Sequence, residues 1–240
     1  MRLKLGVPSK GRLMEQCFDW FGARGVALRR TGASREYAGA VEGVKGVDLV
    51  LLSASEIPRE LAAGRIHLGV TGSDLVREHL ADWTREVVEL APMGFGHADL
   101  IVAVPKAWVD VETLDDLDAV AAAFRARHGF RLRVATKYHR LLRDYLRAHG
   151  VADYQLVDSQ GATEGTVKNL TAEAIADITS TGETLRANHL KILRAAPVHC
   201  SQATLFAARG ADWTKEGAIM TGLATRLDVA LPDGLLTFSG

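Results

Sequence analysis

The stretch Val47 to Leu52 (VDLVLL) constrains this chain most. It is nearly all apolar. A strand with one wet face alternates apolar and polar residues, whereas a near-continuous apolar run reads as a strand covered on both faces. Such a strand needs helices packed over its sheet, and the sequence supplies them. Similar runs are expected as strands at 3–7, 26–28, 67–71, 100–104, 131–135, 154–157, 174–178 and 190–193. Helical spacing falls between them. In 11–24 the apolar residues Leu13, Met14, Cys17, Phe18, Trp20 and Phe21 recur on one face. Ser55 suits the N-cap of a helix ending near Gly64, and Ser73 that of the next. Further helices are expected at 114–128, closed by Gly129, at 137–149, closed by Gly150, at 181–188 and at 214–227. Repeated strand–helix alternation predicts α/β architecture with parallel sheet.

A change in composition marks one crossing. Pro92-Met93-Gly94-Phe95-Gly96 places a proline and two glycines between strands. The expected organisation is two α/β lobes with a cleft between them. Lysines and arginines number 29 and so do the acids, giving a net charge of zero. That balance argues against nucleic-acid or anionic-membrane binding over the whole surface, although a local basic pocket is compatible with it. Cys17 and Cys200 are too few for a disulfide scaffold and read as small buried hydrophobes. No run has the length of a membrane span, and the N-terminus alternates apolar and charged residues, unlike a secretory signal. The expected compartment is the cytoplasm.

Ligands of open α/β sheets bind beyond the carboxyl ends of the strands. The richest loop there is Asp177-Ile178-Thr179-Ser180-Thr181-Gly182-Glu183-Thr184. It offers hydroxyls from Ser180, Thr181 and Thr184, backbone N–H groups at a helix start, and a glycine that admits an anion closely. Asp177 suits the vicinal hydroxyls of a sugar beside that phosphate. An ordinary capped turn explains the same residues equally well. Lys10 and Arg12 after the first strand place two cations where a helix N-terminus disfavours them, which suits a polyphosphate. Gly72-Ser73-Asp74 is a second glycine-bearing turn. Glu164, in the segment from Asp158 to Glu164, has the reach to touch a ligand in a neighbouring loop, and Thr136 to Arg140 adds basic residues and an aromatic. A solvated polar loop accounts for the first as readily, and an exposed helix N-terminus almost as well for the second. His97, His139, His189 and His199 have no metal-ligand spacing, and no Gly-x-Ser-x-Gly elbow is present.

Taken together and in order, these motifs resemble one family. They are Val7 to Leu13, Glu56-Ile57-Pro58, Leu68 to Asp74, Val134 to Tyr138, Gly161 to Glu164, and Ile175 to Leu190 (IADITSTGETLRANHL). The chain resembles the catalytic subunit of ATP phosphoribosyltransferase in its short form, the enzyme class that opens histidine biosynthesis. The resemblance implies two lobes like those of type II periplasmic binding proteins, the second inserted in the first. The first would span 1–94 and 191–240, the second 95–190. It further implies that Ser180, Thr181, Gly182, Glu183 and Thr184 bind the 5-phosphate of phosphoribosyl pyrophosphate, with Glu164 and Asp177 on its ribose. Lys10, Gly72, Ser73 and Asp74 would face ATP, and Lys10 and Arg12 would serve catalysis.

Two positions depart from the family pattern. Ser53 stands where an arginine is common, so Arg35 and Arg59 are the candidates to supply that cation. Glu183 stands where a basic or hydroxyl residue is common. Mg2+ is implied as an ion carried in with pyrophosphate. The implied partners are a second copy of the chain and a separate regulatory subunit resembling histidyl-tRNA synthetase. Two rivals share parts of this pattern. A non-catalytic binding module would share the fold, and a phosphoribosyltransferase acting on a free base would share the phosphate turn but not the Lys10 and Gly72 elements.

Overall fold

The apolar run at Val47–Leu52 forms a strand, but only one of its faces is fully covered. In the computed structural model Val47, Leu49 and Leu51 are buried, while Asp48, Val50 and Leu52 are half-buried. Asp48 accounts for part of this, because it meets Arg2 in solvent at 3.1 Å. The structure describes residues 2–31, 38–159 and 162–237. Arg35, Gln160 and Gly161 lie outside them.

The chain divides into two compact units, residues 1–96 with 202–240, and residues 97–201. The first crossing thus falls directly after the Pro92 to Gly96 segment. The return falls after Ser201, eleven residues later than 190.

The first unit runs β1 (Leu3–Pro8), α1 (Gly11–Gly22), β2 (Ala27–Arg30), β3 (Ala38–Glu42), β4 (Val47–Leu52), α2 (Ile57–Ala62), β5 (Leu68–Gly72), α3 (Ser73–His79), α4 (Trp83–Glu86) and β6 (Val87–Pro92). The second runs β7 (Ala98–Pro105), α5 (Leu114–His128), β8 (Leu132–Thr136), α6 (His139–Ala148), β9 (Tyr154–Asp158), α7 (Gly165–Lys168), β10 (Ala174–Thr179), α8 (Glu183–Ala187), β11 (Leu190–Ile192) and β12 (His199–Ser201). The chain then returns with β13 (Ala203–Ala208) and α9 (Gly217–Leu227).

The sheets are mixed rather than parallel. In the first unit the order is β2-β3-β4-β1-β5-β13-β6. Strand β1 pairs parallel with β4 and β5, whereas β13 runs antiparallel between β5 and β6. In the second the order is β11-β7-β10-β8-β9, with β12 also on β7. There β8, β9 and β10 run parallel, and β7 opposes β10, β11 and β12. Because β11 and β12 both pair with β7, residues 191–201 stay in the second unit.

Several helix limits follow local chemistry. Thr113 and Asp116 form a reciprocal capping box at the start of α5, and Gly129 closes it in the left-handed conformation at φ 77°. Neither serine proposed as a cap serves that way. Glu56 takes the N-cap of α2, and Ser53 holds Glu56 in the preceding turn through Oγ at 2.7 Å and its backbone N–H at 2.9 Å. These two bonds pull the Glu56 carboxyl below its ordinary range. Ser73 is itself the first residue of α3, with Gly72 at the cap. The last helix starts at Gly217, after a turn through 214–216.

The first core gathers β1, β4, β5 and β13 with Cys17 and Phe21 of α1, Trp213, and Met220 and Leu223 of α9. Burial there pushes the Cys17 thiol up to about 12. Cys200 behaves differently from the expectation and is exposed, because it lies on the outward side of the short strand β12.

His67 belongs to this core. Its Nδ1 accepts from the Lys4 N–H at 3.1 Å, and its Nε2 lies 3.2 Å from the Asp212 carbonyl. A neutral ring with its proton on Nε2 satisfies both contacts. Burial, the largest cause, holds its pKa below the usual 6.5, against opposing pulls from Asp212 and Glu216. The unfolded chain therefore takes up this proton first as pH falls. Stability from this group is kept above pH 6.5 and lost as pH falls from there toward the folded value. In His67→Asn the amide oxygen keeps an acceptor for Lys4. Between pH 7.5 and 5.5 its melting temperature should fall less than that of the wild type. Equal losses would contradict this assignment.

Candidate active site

Strand β10 carries the richest loop. It is central in its sheet, between β7 and β8, and its first three residues are fully buried. Burial then gives way. Asp177 is half-buried, Ile178 is exposed, and the chain turns at Ser180 and Thr181 into α8. Gly182 makes this turn possible: its φ of 71° lies in the left-handed region that side chains disfavour. Thr179 Oγ1 accepts the Gly182 N–H at 2.9 Å, and the Arg186 guanidinium donates to the Thr181 carbonyl at 3.0 Å. The turn is thereby braced from both sides.

A cavity of about 250 Å3 opens at this turn, lined by Glu164, Asp177, Ile178, Thr179, Ser180, Thr181, Thr184 and Leu185. Five of the residues singled out from sequence therefore meet on one small cavity. Gly182 shapes the turn from behind and does not line it. Glu183 is exposed and also outside the lining, so its carboxylate does not occupy the space where an anion would sit. Ile178, Thr179 and Leu185 complete the lining beyond the residues to which the sequence points. Thr179 was legible as the hydroxyl ending the strand, but only the fold shows that it fastens the turn.

The carboxylates are held differently. Asp177 Oδ1 accepts its neighbour's N–H, from Ile178, at 2.8 Å. Glu164 sits at the N-cap of α7 and makes no cap bond with its side chain. Its loop is anchored by a buried hydroxyl pair, Ser159 Oγ to Thr163 Oγ1 at 2.9 Å, and by Ser159 N–H to the Thr136 carbonyl at 3.3 Å. Parallel pairing of β8 with β9 and β10 brings the loops after these strands to one end of the sheet. In the loop after β8, Tyr138 is buried, Thr136 Oγ1 accepts its N–H at 2.9 Å, and His139 Nε2 approaches Asp158 at 3.4 Å.

The first unit presents a second set. Because β1 pairs parallel with both β4 and β5, the loops at Lys10, Ser53 and Gly72 leave the same end of that sheet. Ser9 N–H binds the Leu52 carbonyl at 2.7 Å, and Thr71 Oγ1 binds the Ala54 carbonyl at 2.8 Å, which ties the three loops together. Lys10 and Arg12 are exposed, and neither has a carboxylate partner among the described residues. Asp74, in contrast, is buried at the start of α3. Arg59 lies on α2, beside His79.

Comparison with known proteins gives this geometry a context. The chain is 75% identical over 235 residues to ATP phosphoribosyltransferase of Cereibacter sphaeroides, covering 98% of this chain and all of that relative. It is 48% identical to the Mesorhizobium japonicum protein of the same name, over 95% of this chain and 99% of the other. A longer relative from Bradyrhizobium is 51% identical over 89% of this chain, which spans 66% of it. Among solved structures, the ATP phosphoribosyl transferase (HisG:HisZ) complex from Thermotoga maritima superposes with a TM-score of 0.71 at 19% identity, over 94% of this chain and 96% of that one. An L-cystine ABC transporter protein of Listeria monocytogenes superposes at 0.56 and 11% identity, over 94% and 88%. These two likenesses concern fold alone, and they agree with an α/β chain of the periplasmic-binding-protein type. The family described as HisG: ATP phosphoribosyltransferase matches residues 53–229. With that match, and with identity of 75% across the whole Cereibacter relative, the chain belongs to the ATP phosphoribosyltransferase family.

Proposed function

We propose that this chain is a pentosyltransferase that joins N1 of the ATP adenine to C1 of phosphoribosyl pyrophosphate. The products are phosphoribosyl-ATP and pyrophosphate, and the step opens histidine biosynthesis. The observation that carries the site assignment is the meeting of Glu164 and Asp177 with the Ser180, Thr181 and Thr184 hydroxyls on one cavity. Hydroxyl donors suit the 5-phosphate, and two carboxylates beside them suit the vicinal hydroxyls of the ribose.

In this reading N1 attacks C1 as the bond to pyrophosphate breaks. Positive charge grows on the ribosyl ring and negative charge on the leaving oxygens. Adenine N1 brings its own lone pair, so the protein has no proton to remove from the nucleophile. Its work is positioning and stabilisation of the leaving group. Lys10 and Arg12, exposed and without carboxylate partners among the described residues, are the cations assigned to that charge. Gly72, Ser73 and Asp74 are assigned to the ATP side; Asp74, being buried, would act by shaping the turn.

Mg2+ fits as part of the substrate. Among the described residues no group of three or more His, Cys, Asp or Glu side chains could hold a metal ion. Pyrophosphate oxygens would carry the ion in, and there it would offset leaving-group charge. The family likeness supports a cytoplasmic enzyme working as a homodimer with a separate regulatory subunit resembling histidyl-tRNA synthetase. Among the described residues no helix is long and apolar enough to cross a membrane.

The direct test mixes the protein with ATP, phosphoribosyl pyrophosphate and Mg2+ and follows the adenine-ring absorbance of phosphoribosyl-ATP. Product is expected, with a higher yield once the regulatory subunit is added. No product under either condition would overturn the assignment.

A further inference from the structure

Helix α6 has two contrasting stripes. Leu142 and Leu146 are buried. On another side His139, Arg143 and Arg147 recur at intervals of four residues, so they line up along one face. Like charges at that spacing repel and destabilise a helix. A third guanidinium, Arg131, joins them from the residue before β8. Together with Tyr154 and Gln155 of β9 these residues line a cavity of about 570 Å3. Strand β9 is the last of its sheet, so the cavity lies at the sheet edge. It shares no lining residue with the cavity at the end of β10.

Its charge is only partly compensated, by Asp144 beside Arg147 and Asp158 beside His139. No aspartate or glutamate lines it. Arg147 meets Asp144 at 2.9 Å in an exposed pair, which binds weakly in water. Arg131 and Arg143 have no carboxylate partner among the described residues. Burial raises the pKa of the Tyr154 phenol; Arg143, Arg147 and Arg131 oppose that rise, and Asp144 adds to it.

We propose that this cavity is a second anion site, which binds a small phosphorylated molecule through Arg131, Arg143 and Arg147. Guanidinium forks match phosphate oxygens two at a time. Three such forks in one concavity match a multiply charged anion better than a single carboxylate. The volume falls within the range of about 300 to 1,000 Å3 usual for small-ligand pockets. A nucleic-acid chain would need cations spread over many phosphates, whereas this chain has a net charge of zero and these cations converge on one concavity.

Inorganic pyrophosphate is a suitable probe, titrated calorimetrically into the full chain. The wild type is expected to bind two per chain, one at these arginines and one where Lys10 and Arg12 are assigned to the leaving pyrophosphate. The Arg131→Gln/Arg143→Gln variant should weaken one of the two by about 100-fold, at about tenfold for each lost charge-assisted contact. Both side chains are exposed, so circular dichroism should show an unchanged fold. Arg85→Gln/Arg127→Gln removes the same charge elsewhere and should leave both sites intact. Arg143→Lys keeps the charge but loses the fork and should fall in between. In a Lys10→Gln/Arg12→Gln background the arginine site should persist, so it stands or falls apart from the transfer reaction. A single site in the wild type would overturn the proposal, as would equal binding by the Arg131→Gln/Arg143→Gln variant and the control.

Discussion

Asp177→Ala is expected to lower kcat/KM for phosphoribosyl pyrophosphate by about 10- to 100-fold, the worth of a hydrogen bond to a charged group. The side chain is half-buried at the mouth of the β10 cavity, and the only bond it makes to the described protein is the short-range one from Ile178 N–H. Its removal therefore deprives the ligand more than the fold. Thr184→Ala removes one exposed hydroxyl assigned to the phosphate and should cost about tenfold, the lower end for a hydrogen bond to a charged group. Melting temperatures should stay close to the wild type, since neither residue belongs to a core cluster. Both variants should weaken binding of phosphoribosyl pyrophosphate, measured directly, while KM for ATP changes less. Normal binding by Asp177→Ala would remove this carboxylate from the ribose site.

Trp213→Ala carries the largest expected loss of stability, about 3 to 5 kcal/mol. The indole is 2% exposed, and its Nε1 donates to the Ala208 carbonyl at 3.0 Å. Its ring meets His67 edge-on, with centroids 5.1 Å apart. Alanine would leave a large void and one unsatisfied carbonyl where β13 leads toward α9. For a chain of this size each kcal/mol lowers the melting temperature by about 2 to 4 °C. Trp213→Phe keeps most of the volume and loses the hydrogen bond, so it should recover more than half of the stability lost by alanine. A melting curve for Trp213→Ala within 2 °C of the wild type would show that the core tolerates the void.

Much of the local structure was legible from residue order. The limits of β4 and α5 coincide with the apolar run and with the Thr113 cap and Gly129 stop, because both are set by neighbours in sequence. Residue order does not identify 38–42, 87–92 and 203–208 as strands. Strand β13 (ATLFAA) is buried at all six positions, yet alanine has little strand preference and its pattern has no alternation. Only its place between β5 and β6 makes it a strand. The same applies to the mixed sheets: alternating strands and helices suggest parallel pairing, while β7 and β13 oppose their neighbours.

The candidate site divides in the same way. Residue order alone placed an acid, three hydroxyls and a glycine around one strand end, and it matched a family by motifs in series. Those features lie within eight residues of each other, so local chain geometry suffices to gather them. Sequence also marked Glu164, thirteen residues before Asp177, as a residue able to reach a ligand there. Tertiary structure decided that it lines the same cavity, because parallel pairing carries the loops after β8, β9 and β10 to one end of the sheet. It also decided that Glu183 stays out of that cavity, that Asp74 is buried, and that a net charge of zero conceals three guanidiniums in one concavity. A sequence records which charges exist. Only strand pairing and helix packing determine which of them face the same space.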